Sequence, residues 1–227
     1  MVQSAMWKFR GSCMMLMRRE GRQVVYLGTA FVVHRDGYLL TAARLIGDGT
    51  ETSELVVAPA DLEHTFAPIT IETVAPLRVV VAQIDRQRDV ALLRFDPPLE
   101  VVVPDRIIGN PEAYFDGSSV MALGFSFAHY RIHNPIARSA VISARIRTDD
   151  GTNMMLIDRR AHDGDAGGLL VCLEDERVIG VLLGRFDPSD LRKDEYRDDV
   201  EIITMMSLAV SVEYGAALMQ AEGLTIA

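Results

Sequence analysis

Apolar residues recur along the chain in short runs, separated by clusters of Gly, Pro, Asp and Asn. Runs of four to eight or so residues rich in Val, Ile, Leu and aromatics predict strands rather than helices. The pattern places strands at Val24–Val33, Tyr38–Thr41, Glu54–Ala58, Arg78–Ile84, Val90–Phe95, Val120–Phe125, Ser139–Ile146, Met154–Ile157, Leu169–Leu173, Val178–Leu183 and Ile202–Leu208. Arg35-Asp36-Gly37 sets Asp-Gly between two apolar runs, the composition a tight hairpin needs because its central residues take positive φ. Glu174-Asp175-Glu176-Arg177 predicts a second hairpin tip. One long helix is expected at the end, with Ser211 as N-cap, Val212, Ala216, Leu218 and Met219 on its apolar face, and Gly223 as its stop. A short helical turn is expected through Ala42–Ile46. Many short strands with one terminal helix point to antiparallel barrels or a sandwich. Pro97-Pro98 through Pro104 forms the best internal linker, dividing residues 1–98 from 105–227, and no repeat relates the halves. The charge-dense stretch Arg185–Glu201 reads as an exposed loop, with Asp190–Glu201 a candidate contact surface.

Composition narrows the function classes. A chain of 227 residues that is 49% hydrophobic and 24% charged has material for a packed core, which excludes disorder over most of it. Its 23 basic against 32 acidic residues give a net charge of −9, which argues against nonspecific nucleic-acid binding. No apolar run approaches the roughly 18 residues that span a bilayer. The N-terminal segment lacks the pattern of an export signal, since Lys8, Arg10, Arg18 and Arg19 bracket the Met14–Met17 cluster. Cys13 and Cys172 are too few for a disulfide framework or a Cys-rich zinc site and are expected as buried free thiols in a reducing cytoplasm. The pairs Met14-Met15, Met154-Met155 and Met205-Met206 are expected to point one residue inward and one outward along strands. His129-Tyr-Arg-Ile-His133 spells H-x-x-x-H, but it lacks a carboxylate and lies in predicted loop, so no metal and no cofactor are expected.

Three segments, taken in order, carry a family resemblance. Gly28-Thr-Ala-Phe-Val-Val-His-Arg-Asp-Gly-Tyr-Leu-Leu-Thr-Ala-Ala-Arg44 is followed by Asp85-Arg-Gln-Arg-Asp89-Val-Ala-Leu-Leu-Arg-Phe, and then by Asp163-Gly164-Asp165-Ala166-Gly167-Gly168-Leu169-Leu170. These resemble the strand–hairpin–strand ending in the catalytic His, the segment supplying the Asp, and the Gly-rich turn around the nucleophilic Ser of the chymotrypsin-fold serine peptidases, particularly the HtrA-type group. Gly117-Ser-Ser-Val-Met-Ala-Leu-Gly124-Phe is similar to a further strand of that family. The resemblance covers roughly Val24 to Leu218 and implies an all-β fold of two six-stranded antiparallel barrels with a C-terminal helix.

The resemblance places Arg44, Asp89 and Ala166 at the three catalytic positions. Serine-peptidase chemistry needs a neutral imidazole to take the serine proton, an Asp to orient it and a hydroxyl to attack. A guanidinium has no acceptor lone pair and alanine has no nucleophile, so this triad is degenerate. Other histidines offer no replacement. His34 falls at a hairpin tip, His64 in a polar connection, and His162, four residues before Ala166, would serve a position without a hydroxyl. The implied function is a pseudoprotease: a binding or regulatory module whose partner is a protein, or a peptide added to an exposed strand edge beside the former cleft, suited to a larger regulatory or defence assembly. The alternative is a serine endopeptidase captured as an inactivated mutant at position 44, position 166 or both.

The remaining site expectations follow from the same resemblance. Arg44 is expected to form a charge-assisted pair with Asp89. The turn Gly164-Asp165-Ala166, with Gly167-Gly168 behind it, either keeps the amide donors of an oxyanion hole or is a Gly-rich turn left by ancestry. Asp165 needs a cationic partner, with Arg159, Arg160 or solvent as candidates. Arg160, His162 and Gly184 are the expected lining of any residual specificity pocket, and Arg160 would favour an acidic side chain there.

Overall fold

The computed structural model describes every residue except 22, 48–53, 72–75, 189–203 and 227. After an N-terminal helix α1 (Val2–Phe9), six strands β1 (Cys13–Glu20), β2 (Gln23–His34), β3 (Tyr38–Thr41), β4 (Glu54–Pro59), β5 (Leu77–Asp85) and β6 (Val90–Phe95) close into an antiparallel barrel in the order β1-β2-β3-β6-β5-β4. A second barrel, β10-β11-β12-β9-β8-β7, is built from β7 (Ser119–Gly124), β8 (Ile136–Arg147), β9 (Asn153–Ile157), β10 (Leu169–Cys172), β11 (Arg177–Arg185) and β12 (Ser207–Ser211). The chain ends in α2 (Glu213–Ala221). Alternation along the strands sends side chains into three cores. Leu39, Ala91 and Leu93 fill the first barrel, Leu170, Ile179 and Ile157 the second, and Leu40, Leu92, Met121, Leu123 and Phe125 the layer between them.

The predicted strands lie where the pattern placed them, with one addition and one shift. β1 was not expected, because Cys-Met-Met-Leu-Met-Arg-Arg-Glu carries no β-branched residue and no polar alternation. Both of its faces are in fact covered: Cys13 and Met15 enter the layer between barrels while Met14 and Leu16 enter the first barrel. For the same reason Met14 and Met15 are both buried, rather than one in and one out. The last strand runs Ser207–Ser211 instead of Ile202–Leu208, of which Ile202 and Ile203 lie outside the described residues, as does all of Asp190–Glu201. Ser211 is therefore not the helix N-cap: it pairs with Gly180 in the β12–β11 ladder, and Val212 takes the cap position before α2 starts at Glu213. The helix stop holds, since Gly223 at φ +76° lets its own amide reach the Gln220 carbonyl (2.9 Å) and that of Leu224 the Met219 carbonyl (3.0 Å). The Ala42–Ile46 turn is a single 3-10 turn at Ala43–Ile46.

The two terminal helices each lie against the barrel of the opposite half. α1 was not foreseen, yet it touches β7, buries Ala5 and Phe9 in the layer between barrels, and its Lys8 ammonium donates to the Glu176 carbonyl at the tip of the β10–β11 hairpin (2.6 Å). α2 packs on β5 and β6, with the Gln83 amide donating to Glu222 (2.7 Å). No described helix is long and apolar enough to cross a membrane. Phe9→Ala is expected to lower stability by about 3–5 kcal/mol in urea unfolding, the cost of an emptied aromatic site in a packed core. A loss under about 1 kcal/mol would mean that α1 is not docked.

Candidate functional site

The Gly-rich turn is fastened to the first barrel by one residue. Thr29 of β2 is fully buried and donates its amide to the Ala166 carbonyl (2.8 Å). Its hydroxyl donates to the Gly164 carbonyl (2.8 Å) and accepts from the Phe125 amide (2.9 Å), while its own carbonyl accepts from the Thr41 hydroxyl (2.7 Å). Nearby the Tyr26 hydroxyl lies 2.8 Å from the Phe125 carbonyl and 3.1 Å from that of Gly164, and burial pushes its pKa up, so it stays a neutral donor. Only glycine fits this contact. A Cβ at Gly167, which sits at φ +80°, would stand 2.0 Å from the Thr29 carbonyl, and one at Gly164 would stand 2.2 Å from the Phe125 carbonyl.

Asp163–Asp165 forms a 3-10 turn, with the Asp165 amide bonded to the His162 carbonyl (2.9 Å). Behind it, the Gly167 amide bonds to the Leu182 carbonyl (2.8 Å) and the Gly168 amide to the Asp165 carbonyl (2.9 Å). Asp165 is fully buried. Its partner is Arg138 of β8, not Arg159 or Arg160, and the ion pair is nearly sealed from solvent. The Ser126 hydroxyl (2.6 Å) and the His162 amide (2.7 Å) complete the shell. The reason is directional: Asp165 points through the barrel wall toward β7 and β8, whereas Arg159 and Arg160 are exposed. Sequence reasoning missed Thr29, Tyr26, Ser126 and Arg138. The one available signal was Arg138 itself, a cation in a strand whose outward positions are elsewhere exposed.

Arg44 and Asp89 meet. Asp89 occupies the turn between β5 and β6 at φ +56°, accepts the Arg44 amide (2.7 Å) and pairs with the Arg44 guanidinium, while its carbonyl accepts the Ala43 amide (3.2 Å). The carboxylate thereby holds the start of the Ala43–Ile46 turn as well as the side chain beyond it. The guanidinium is 56% exposed, so solvent screens the pair and it contributes little to stability. It borders a cavity of about 760 Å³ between the barrels, walled by Arg86 and Gln87 on one side and Thr148–Asp150 on the other. Hydrogen bonds from the Thr148 hydroxyl and the Thr152 amide hold the Asp150 carboxyl at about 2.

A second cavity, of about 500 Å³, adjoins the turn. Arg160 and His162 line it; Gly184 does not, lying in β11 beside Arg185, which does. Phe127, His129 and Tyr130 complete its aromatic wall. The H-x-x-x-H segment separates its histidines. His129 stacks near Tyr26 and Tyr130, whereas the His133 Nδ1 accepts from the Ile71 amide (3.1 Å) in a strap where Pro68–Ile71 of the first half meets Arg131–Asn134 of the second. Among the described residues no cluster of three ligating side chains is present.

Two closed six-stranded antiparallel barrels packed on a shared core layer, with a C-terminal helix, define the chymotrypsin class of fold. Residues 28–181 match the trypsin-like peptidase domain family, and the chain belongs to that family. It is 26% identical to the serine protease HTRA4 of Homo sapiens over 164 residues, which is 69% of this chain and 30% of that protein. It is 27% identical to a probable periplasmic serine endoprotease, DegP-like, of Pseudomonas putida over 165 residues, 70% of this chain and 29% of that one. The chain thus spans about 30% of the length of these curated relatives. The HtrA-type protease AlgW, solved with a decapeptide, shares the fold at a TM-score of 0.70 and 16% identity, covering 97% of this chain and 67% of its own. Together these make the chain a trypsin-like peptidase domain that is similar to HtrA-type proteases.

The geometry makes two measurable statements. Arg138→Met, which strands a buried Asp165 carboxylate, should cost about 3–5 kcal/mol in urea unfolding, with part recovered on adding Asp165→Asn. A cost below about 1 kcal/mol would remove Arg138 as the partner. Burial, aided by the nearby Arg131 charge, lowers the His133 pKa. The unfolded chain therefore takes up that proton first, and the strap's stability is lost as pH falls below roughly 6.5. Hydrogen exchange at the Ile71 amide, corrected for the intrinsic rate, should be faster at pH 5 than at pH 7.5; equal protection would contradict the sign.

Proposed function

We propose that this domain does not hydrolyse peptide bonds and acts as a protein- or peptide-binding regulatory module, a pseudoprotease. The observation that carries the reading is the pair of side chains at positions 44 and 166. Acyl transfer needs a group that accepts the serine proton and a hydroxyl that gives it up. Arg44 offers only donors, and its Nε is engaged by Asp89. Ala166 offers a methyl group, which carries no nucleophilic atom. The relatives are named as serine proteases, so the scaffold is that of an enzyme and the departure lies in its reacting atoms.

A peptide is the natural occupant of such a scaffold, and the AlgW structure is one with a decapeptide. Each strand of both barrels has two hydrogen-bonded neighbours, but the β10–β11 ladder ends at Val181 while β11 runs on beside β12 to Arg185, so among the described strands the other edge of residues 183–185 is where a peptide strand would add. Net charge −9 favours a protein over nucleic acid as partner, and nothing in the reading calls for a membrane. The two buried, unpaired thiols favour a reducing compartment, the cytoplasm.

The test pairs turnover with binding. No cleavage of a fluorogenic peptide mixture above buffer is expected, and Arg44→His with Ala166→Ser should restore little. Randomised decapeptides should nevertheless bind. Sustained turnover by the unaltered chain would overturn the reading, and a gene encoding His at codon 44 and Ser at codon 166 would replace it with an endopeptidase.

A further inference from the structure

We infer that the open end of the second barrel is a binding site for a free α-amino acid with an apolar side chain, its carboxylate received by Arg147 and the Ser211 hydroxyl and its ammonium by Glu213. The site is a cavity of about 280 Å³ to which β8, β9, β12 and the first residue of α2 contribute. Of its lining only Met154 is shared with the cavity between the barrels, and it does not depend on the reading of positions 44 and 166.

A buried hydroxyl without a partner is the first support. Ser211 is 3% exposed, and its Oγ finds no hydrogen-bond partner among the described residues. Along β12 it shares a face with Ala209, which fills the second barrel, so the hydroxyl faces the barrel interior at the end where that core stops. An unsatisfied hydroxyl costs stability, and here it stands in the wall of a cavity that a small polar molecule can enter.

The second support is a pair of opposite charges held apart. Arg147 and Asn153 face each other across the β8–β9 ladder, and the Arg147 Nε donates to the Asn153 Oδ1 (2.9 Å). The Nδ2 of the same amide donates to the Glu213 carboxylate (2.8 Å). One planar amide thus fixes a guanidinium on one side and a carboxylate on the other, and among the described residues neither has an ion-pair partner. Arg145 and Glu112 bring the lining to two cations and two anions. Arg145 is committed to Asp116 (3.5 Å) and lies over the Phe115 ring, which leaves Arg147 as the guanidinium without a carboxylate. A ligand of single charge gains from one sign and loses to the other, whereas a zwitterion is favoured by both.

Size and walls set the remaining chemistry. A cavity of this volume takes one small molecule rather than a length of peptide. Pro111 and Met155 give it an apolar side, and the unbranched thioether of Met155 adapts to differing side chains.

Isothermal titration calorimetry on the whole chain tests the site, with L-leucine, L-methionine and L-phenylalanine titrated in turn. At least one should bind saturably with a Kd below about 1 mM. Its N-acetyl derivative, which lacks the ammonium, and its amide, which lacks the carboxylate, should each bind at least about tenfold more weakly, the scale of one hydrogen bond to a charged group. Ser211→Ala should weaken binding about tenfold while leaving the thermal midpoint unchanged or raised, because it removes an unsatisfied buried group. Asn153→Ala, which releases both Arg147 and Glu213, should abolish binding; if that variant does not fold, Arg147→Gln at its exposed position reads the same charge. An acetylated or amidated form that binds as tightly as its parent overturns the site, and so does binding untouched by Ser211→Ala. A Kd above about 1 mM for all three amino acids overturns it as well, an ordered water alone then satisfying the hydroxyl.

Discussion

The structure hangs on the burial of Thr29. One side chain and its flanking peptide groups satisfy the Gly164 and Ala166 carbonyls, the Phe125 amide and the Thr41 hydroxyl, which belong to both barrels. In a layer lined by Phe31, Leu123 and Phe125 there is no water to take those bonds, so each lost partner leaves an unsatisfied polar group in an apolar seam. Everything functional is placed from this point. The Gly-rich turn is fixed against β2, Asp165 is aimed at Arg138 of β8, and a cavity lined by Arg160 and His162 opens beside the turn.

The Asp165–Arg138 pair adds direction to that fixed point. A buried ion pair is a poor source of net stability, but breaking one half of it is costly, so it acts as a constraint on geometry. Here it selects one path for the turn, since Ser126 and the His162 amide must also reach the same carboxylate. The Arg44–Asp89 pair is of another kind. It is mostly solvated, and its structural consequence comes through the Asp89 carboxylate and carbonyl on the backbone of residues 43 and 44. One acid in the site is therefore a structural anchor and the other a turn cap.

Local chemistry decided what the sequence could reveal. The Asp36-Gly37 hairpin, the strand Val90–Phe95 and the Gly223 stop each depend on residues adjacent in the chain, and all were legible there. β1 was hidden because both faces are buried, which removes the alternation that marks a strand. α1 was hidden because eight residues without a capping side chain carry little periodic signal, and its docking onto the far barrel supplies what propensity does not. Ser211 satisfied the composition rule for a helix cap, yet the strand ladder claimed it first. In the site, the motif order exposed positions 44, 89 and 166, whereas Thr29 and Arg138 act through contacts across 135 and 27 residues, which no local pattern encodes.

The scaffold grips position 166 by its carbonyl, through the Thr29 amide, and asks of the side chain only that it fit a buried site. Position 44 is likewise held by its amide while its guanidinium reaches toward solvent. Foldability and reactivity are consequently written in different atoms of the same residues. A lineage carrying this architecture can exchange the reacting groups one codon at a time without disturbing the barrels, so the scaffold permits drift between cutting a chain and merely holding it.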